Sequence, residues 1–297
     1  MVSKTMTLLD GGMGQELRQR SRQPASPLWS AQVLMDEPDL VVAAHRDFIA
    51  AGADIITTSN YVVTPQRLAR DGDPQWFEGL HDAALKAAHE SRAGSPRSVR
   101  IAGCLPPLVA SYHPEVIPDD ATCRRDYARL VEAQADGVDL LMAETMSLTR
   151  EAVAATVAGK QSGLPVWIAL TVDDHNGARL RSGESLRAAA HAVIDAGADA
   201  VLINCSAPEA ITTAMPILAE MNVPFGGYAN GFEAAGELVP GGTVDSLRAR
   251  ENLTPERYAD YVARWIDHGA TLVGGCCEIG PAHIAALDQR FRQATPD

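Results

Sequence analysis

Eight short runs of mostly apolar residues recur along the chain, separated by longer stretches of mixed polarity. Most runs are continuously apolar rather than alternating, which is typical of parallel strands that are buried on both faces. The pattern therefore predicts eight strands. They cover residues 6–11, 54–60, 100–105, 138–145, 165–171, 200–205, 224–230 and 271–277.

The segments between these runs have helical periodicity. Thr254 followed by Pro255 predicts a helix start, because a capping hydroxyl precedes a proline in the first turn. Apolar residues at helical spacing predict helix faces that pack against the sheet. Leu186, Ala190, Val193, Ile194 and Gly197 form one such stripe, and Tyr258, Tyr261, Val262, Trp265 and Ile266 form another.

A weak internal repeat marks four of the joints between helix and strand. The segments AGADII, DGVDLLM, AGADAVL and HGATLVG begin at Ala51, Asp136, Ala196 and His268. In each, a glycine that tolerates a left-handed backbone is expected to end a helix before the next strand starts.

Strands that alternate with helices indicate a parallel sheet, and eight units favour a closed barrel over an open, doubly wound sheet. We predict an α/β fold, a (β/α)8 TIM barrel, as a single domain over residues 1–297. Long loops are expected at 106–122, 173–185 and 231–247, on the side of the barrel where active sites are usually built.

The composition of the chain limits the kinds of partner that it is expected to bind. The chain has 25 Lys and Arg against 38 Asp and Glu, a net charge of −13, which argues against nucleic-acid binding. The start of the sequence lacks the apolar core of a signal peptide, and the longest apolar runs are too short to span a membrane. Five cysteines in such a chain favour a reducing, cytoplasmic location and a metal or catalytic role. The oligomeric state, a homo-oligomer included, stays open.

Three cysteines give the sharpest indication of chemistry. Cys205 ends the sixth predicted strand, and Cys276 and Cys277 end the eighth. Three thiolates suit zinc and leave one coordination position open, as in catalytic sites. The alternative for each is a small buried apolar residue, which we favour for Cys104. Adjacent cysteines on a regular strand point to opposite faces, so the neighbouring glycines must relax the backbone.

Polar residues end other predicted strands at the same mouth of the barrel. Asp10 and Glu144 close two apolar runs and together could bind an ammonium group, although Asp10 could also be a plain turn residue. The amides of Gly11 and Gly12 and the hydroxyl of Thr58 could bind a carboxylate. This combination describes a site for an amino acid.

The sequence resembles the homocysteine S-methyltransferase family. The matching segments, which run from the N-terminus to residue 284, are LLDGGMGQEL, SPLWSAQVL, ITTSNY, AET, INC and GGCCEIGPAHI. The segment SPLWSAQVL looks most like the branch that uses S-methylmethionine. The chain departs from that branch at GCLPPLVASYHPEV and at YANGFE, in loops that are expected to shape the donor pocket.

The resemblance implies a zinc-dependent barrel that methylates homocysteine to methionine. Cys205, Cys276 and Cys277 match the zinc ligands of the family, and Asn204 matches a polar neighbour of the metal. The positions that match the homocysteine site are Asp10, Gly11, Thr58 and Glu144.

The donor implied by the resemblance is a cationic sulfonium, S-methylmethionine before S-adenosylmethionine. Trp29, Tyr61 and Tyr228 are candidates to face this cation through cation–π attraction. Three alternatives stay open at this point. They are a related methyltransferase that uses betaine, another donor or another thiol or selenol acceptor, a metal-free enzyme with a cysteine nucleophile, and a non-catalytic barrel stabilised by zinc.

Overall fold

The computed structural model describes residues 6–24, 27–28, 30–233, 238–242 and 247–293. Within this part of the chain, no helix combines the length and the hydrophobicity that crossing a lipid bilayer requires.

Eight parallel strands form one sheet. A parallel bridge between Leu9 and Ile55 closes the sheet into a barrel, and the N–H of Asp54 donates to the carbonyl of Leu8 at 2.7 Å. The predicted barrel is therefore confirmed. In the order in which they pair across the sheet, the strands are β1 (Thr7–Leu8), β10 (Leu272–Val273), β9 (Phe225–Tyr228), β8 (Ala200–Asn204), β5 (Val166–Leu170), β4 (Leu140–Met146), β3 (Arg100–Leu105) and β2 (Ile55–Thr57).

Helices surround the barrel, and both predicted stripes face inward. Leu186 and Val193 are buried on α8 (Leu186–Asp195), and Tyr258 and Trp265 are buried on α10 (Pro255–Asp267). Thr254 caps α10 as predicted, since its side chain accepts the N–H of Arg257. The helices are α1 (Met13–Arg20), α2 (Ser30–Asp36), α3 (Pro38–Ala50), α4 (Pro65–Asp71), α5 (Phe77–Ala93), α6 (Asp120–Glu132), α7 (Thr149–Lys160), α8 (Leu186–Asp195), α9 (Pro208–Leu218), α10 (Pro255–Asp267) and α11 (Pro281–Phe291).

The segment after β5 is not the plain loop that the sequence predicts. It contains an antiparallel hairpin of β6 (Val172–Asp173) and β7 (Asn176–Leu180). The carboxylate of Asp173 accepts the N–H groups of His175 and Asn176 at 2.8 and 2.9 Å, which fixes the tight turn. Local turn chemistry, rather than hydrophobic periodicity, produces this hairpin.

The repeat of glycine joints holds at three of its four sites. Gly52, Gly197 and Gly269 have φ of +115°, +106° and +96°, as a left-handed helix end requires. At the fourth site the prediction is wrong, because Gly137 is the last residue of a short 3-10 helix, Ala135–Gly137, that replaces the expected helix end.

The barrel strands are buried on both faces, as their apolar runs predict. One cluster fills the barrel interior, and a second, larger cluster lies between the sheet and the helices. Residues of the interior cluster include Leu9, Ile55, Ala102, Leu140, Met142, Trp167 and Leu202.

Candidate metal and substrate site

Three cysteine sulfurs meet at one mouth of the barrel. Cys205 directly follows β8, while Cys276 and Cys277 lie beyond β10. The Sγ of Cys277 is 3.9 Å from that of Cys205 and 4.0 Å from that of Cys276, and all three sulfurs lie within 4.8 Å of one another. A tetrahedral ion with metal–sulfur bonds of about 2.3 Å separates its sulfurs by about 3.8 Å. The trio therefore fits a single metal ion.

The two adjacent cysteines reach one point because they are not on a strand. β10 ends at Val273, and the backbone then turns, with the N–H of Ile279 donating to the carbonyl of Cys276 at 3.0 Å. Glu278 takes a left-handed φ of +65° within this turn. The opposite orientation of neighbouring side chains on a strand is thereby avoided.

Gly12 permits the turn to approach α1. A Cβ at this position would lie 2.6 Å from the carbonyl oxygen of Cys276, closer than real atoms allow. The N–H of Gly12 donates to the carbonyl of Ile279 at 2.9 Å. One of the two amides that the sequence offers for a carboxylate is therefore already bonded within the protein.

Of the three clustered cysteines, Cys205 forms a thiolate most readily. The pKa of Cys205 lies well below its usual range, because its sulfur accepts hydrogen bonds from Cys276 and Cys277 and then from Tyr112, and because Arg181 adds positive charge. The hydroxyl of Tyr112 is 3.0 Å from the Cys205 sulfur. Sequence reasoning missed Tyr112, since it comes from the loop after β3.

Two carboxyl groups, the buried Asp10 and the partly buried Glu144, lie in the same cavity as the trio. Asp10 accepts the N–H of Thr57 at 2.8 Å and its hydroxyl at 3.3 Å. Burial, together with the charge of Glu144, raises the pKa of Asp10 to about 8, and burial raises the pKa of Glu144 to about 7. A cation in the cavity would lower the pKa of both carboxyl groups, since a positive charge favours their ionised form.

Glu144 is held from two sides. The hydroxyl of Tyr228 donates to its Oε1 at 2.9 Å, and the thiol of Cys104 lies 3.2 Å from its Oε2. Cys104 is fully buried and is not one of the three clustered sulfurs, in keeping with its interpretation as a core residue. Its contact with Glu144 is a feature that the sequence did not reveal.

The other residues predicted to bind substrate also line the cavity, where two of them already have hydrogen-bond partners within the protein. Thr58 lines it, but its hydroxyl donates to Asn60 at 2.6 Å and accepts the N–H of Cys104 at 3.0 Å. Asn204 also lines it, and its side chain binds the backbone N–H and the hydroxyl of Thr145 at 2.8 and 3.0 Å. Gly11 and Gly12 form part of the wall.

Two polar side chains that sequence reasoning missed line the cavity without a partner among the described residues. They are Nε2 of Gln15, in the first turn of α1, and Oγ of Ser59, just beyond β2. Both belong to segments that carry the family resemblance, GGMGQEL and ITTSNY, which is the indication that could have found them.

Of the three aromatic candidates for the donor side, Tyr61 and Tyr228 line the cavity. The hydroxyl of Tyr61 lies 2.9 Å from Oγ of Ser111. Trp29 lies outside the described residues. Tyr112 and Phe232 complete an aromatic and apolar wall beside the cysteines.

A family model described as homocysteine S-methyltransferase matches residues 7–291. The chain belongs to the homocysteine S-methyltransferase family. It is 32% identical to homocysteine S-methyltransferase from Escherichia coli (strain K12), over 95% of this chain and 94% of that protein. It is 28% identical to selenocysteine methyltransferase from Astragalus bisulcatus, over 94% of this chain and 90% of that protein. As a member of this family, the chain is a methyltransferase.

Solved structures of the family agree with the fold. The metallated form of the homocysteine methyltransferase MmuM from Escherichia coli superposes with a TM-score of 0.81, at 28% identity and with 97% of each chain covered. In the present chain, the cluster of Cys205, Cys276 and Cys277 could also hold a metal ion.

Proposed function

We propose that this methyltransferase transfers a methyl group from a sulfonium donor to the thiol of L-homocysteine, with zinc held by Cys205, Cys276 and Cys277. S-methylmethionine is the favoured donor, and S-adenosylmethionine is a poorer one. The observation that carries the proposal is the convergence of three sulfurs with two carboxyl groups, Asp10 and Glu144, in one cavity.

The donor set favours zinc among divalent ions. Three soft thiolates select zinc over magnesium or calcium, which prefer oxygen ligands. Three protein ligands leave a position for the substrate sulfur. When bound, zinc supplies a Lewis acid that keeps the homocysteine sulfur in its nucleophilic thiolate form near neutral pH. These thiolates must stay reduced, which fits a reducing compartment such as the cytoplasm.

The carboxyl groups bind the ammonium end of homocysteine. Thr57 fixes Asp10, and Tyr228 fixes Glu144, so neither carboxylate needs to reorganise when the amino acid arrives. The pKa of each is raised by burial, and an ammonium group would return both to the ionised state.

The carboxylate end of the amino acid meets hydrogen-bond donors. Nε2 of Gln15 and Oγ of Ser59 lack partners among the described residues and border the cavity. A buried donor without a partner is costly, and a substrate carboxylate would satisfy it. Gly11 also lines the cavity.

A sulfonium donor suits the charge of the site. The donor is cationic, while the thiolates and carboxylates around it are anionic. Attack of the substrate sulfur on the methyl carbon forms the new S–C bond as the old one breaks, and the donor leaves as a neutral thioether. Tyr61 and Tyr228 line the same cavity, where their rings would attract the cation.

The test is a donor screen. Zinc-loaded protein is mixed with homocysteine and S-methylmethionine, S-adenosylmethionine or betaine in turn, and methionine is quantified. We expect turnover with S-methylmethionine, slower turnover with S-adenosylmethionine and none with betaine. Turnover with betaine alone, or with no sulfonium donor, would contradict the proposal.

A second acceptor has specific support. The similarity to selenocysteine methyltransferase from Astragalus bisulcatus makes a selenol acceptor the alternative to test. The same screen with selenocysteine in place of homocysteine compares the two values of kcat/KM. We expect homocysteine to give the larger value.

A further inference from the structure

Two loops from different parts of the chain meet over Cys205. The loop between β3 and α6 brings Tyr112, whose hydroxyl donates to the Cys205 sulfur at 3.0 Å. The hairpin of β6 and β7 brings Arg181, whose guanidinium carbon lies 4.7 Å from the centroid of the Tyr112 ring. A cation over the ring face and a thiolate at the hydroxyl give the phenol a charged partner on each side.

Arg181 is itself fixed in this position. One of its terminal nitrogens donates to the carbonyl of Cys205 at 3.3 Å and to Asp174 at 3.0 Å. Its Nε donates to the hydroxyl of Thr171 at 3.1 Å. The guanidinium thus touches the backbone of Cys205 directly and the sulfur of the same residue through Tyr112.

Of the three cysteines, only Cys205 has a left-handed backbone conformation. It has a left-handed φ of +47°, which is uncommon for a residue with a side chain, and Tyr112 has a φ of +69°. The N–H of Cys205 donates to the carbonyl of Tyr228 at 3.2 Å. Such conformations persist where the surroundings over-determine them, and they concentrate at functional sites.

The loop does not need the Tyr112 hydroxyl to stay in place. On one side of Tyr112, Ser111 bonds to the hydroxyl of Tyr61 at 2.9 Å. On the other side, Nε2 of His113 lies 2.7 Å from the carbonyl of Leu238. The contact of Tyr112 with Cys205 is therefore separable from the packing of the loop.

We infer that Tyr112 and Arg181 form a clamp that positions Cys205 and lowers the electron-donating strength of its thiolate toward a bound metal. A weaker thiolate donor leaves the metal more electron-poor and so strengthens its hold on the substrate sulfur. The consequence for the substrate sulfur rests on the proposed function. The effect of Tyr112 and Arg181 on metal binding does not depend on it. Tyr112 and Arg181 are positioning residues.

The test uses metal binding and a spectroscopic readout on the full-length protein. The variants are Tyr112→Phe, which keeps the ring, and Arg181→Met, with Arg179→Met as the control. Arg179 lies on the same hairpin, is exposed and donates to the carbonyl of Gly183. Zinc affinity is measured by competition with a chromophoric chelator, and the thiolate-to-metal charge-transfer band is recorded after loading with Co²⁺.

For Tyr112→Phe we expect zinc affinity to fall by about 10- to 100-fold, because the loss of the contact that positions the Cys205 sulfur outweighs the gain from a stronger thiolate donor. Its charge-transfer band should move to lower energy, because a thiolate without its hydrogen bond is a stronger donor. Arg181→Met should change both quantities in the same direction by less, and Arg179→Met should change neither.

Zinc affinity within twofold of wild type and an unmoved band in Tyr112→Phe would overturn the inference. If circular dichroism shows that this variant does not fold, equal behaviour of Arg181→Met and Arg179→Met overturns it instead. Failure of the proposed function is seen separately, since wild-type protein would then form no methionine while the variants still differ in metal binding.

Discussion

The hydroxyl of Tyr228 donates a hydrogen bond of 2.9 Å to Oε1 of Glu144, and so fixes a partly buried carboxylate in the cavity that Asp10 also lines. Neutralising Glu144 removes a charge without removing this hydrogen bond. We predict that Glu144→Gln raises the KM for homocysteine by about 10- to 100-fold, because a hydrogen bond to a charged group contributes about 1.5–3 kcal/mol.

Steady-state kinetics with varied homocysteine at saturating donor measures the effect. The control is Asp260→Asn, which removes a carboxylate from an exposed ion pair with Arg290. An unchanged KM in Glu144→Gln would show that this carboxylate does not bind the ammonium group.

Gly12 and Gly14 make a matched pair in the same segment. A Cβ on Gly12 would lie 2.6 Å from the carbonyl oxygen of Cys276, whereas a Cβ on Gly14 meets nothing within 4 Å. We predict that Gly12→Ala displaces the turn that carries Cys276 and Cys277 and weakens zinc binding at least tenfold. Gly14→Ala should leave zinc affinity unchanged and stabilise α1 by up to about 1 kcal/mol.

Competition with a chelator measures both zinc affinities, and urea denaturation measures both free energies of unfolding. Wild-type zinc affinity in Gly12→Ala would mean that the close approach of α1 does not set the geometry of the cysteines.

We predict that the buried His45 makes the stability of the fold sensitive to acid. Its ring is fully buried on α3, and neither nitrogen has a partner among the described residues. Burial lowers the pKa of His45 from 6.5 to about 4. The unfolded state therefore binds a proton that the folded state excludes, and stability falls as the pH drops from about 6.5 towards 4, by up to about 1.4 kcal/mol per pH unit.

A series of urea denaturations between pH 7 and pH 4.5 (the range set by that pKa) measures the slope for wild type and for His45→Leu. We expect the variant to lose less stability on acidification than wild type does. Equal slopes in the two proteins would assign the acid sensitivity to other groups.

Much of the barrel could be predicted because its strands are continuous apolar runs. Which of two adjacent residues on a strand faces the barrel interior could not be predicted. Adjacent residues on a strand point to opposite faces, so only one of two neighbouring threonines can face the barrel interior. The structure turns the hydroxyl of Thr57 to Asp10 and that of Thr58 to Asn60. Three-residue β2 carries too little periodicity to distinguish them.

The cysteine trio could be predicted from strand ends, whereas its surroundings could not. Tyr112 reaches Cys205 across 93 residues of sequence, from a loop without periodic structure. Arg181 does so from a hairpin made by local turn hydrogen bonds. Such contacts depend on where two loops meet in space, which no local pattern encodes.

The central claim is that three cysteine thiolates hold one zinc ion and leave a position for the substrate sulfur. X-ray absorption at the zinc edge of the loaded protein, before and after homocysteine is added, tests it directly. We predict three sulfur ligands at about 2.3 Å before addition and four afterwards. A sulfur count that homocysteine leaves unchanged would contradict the account.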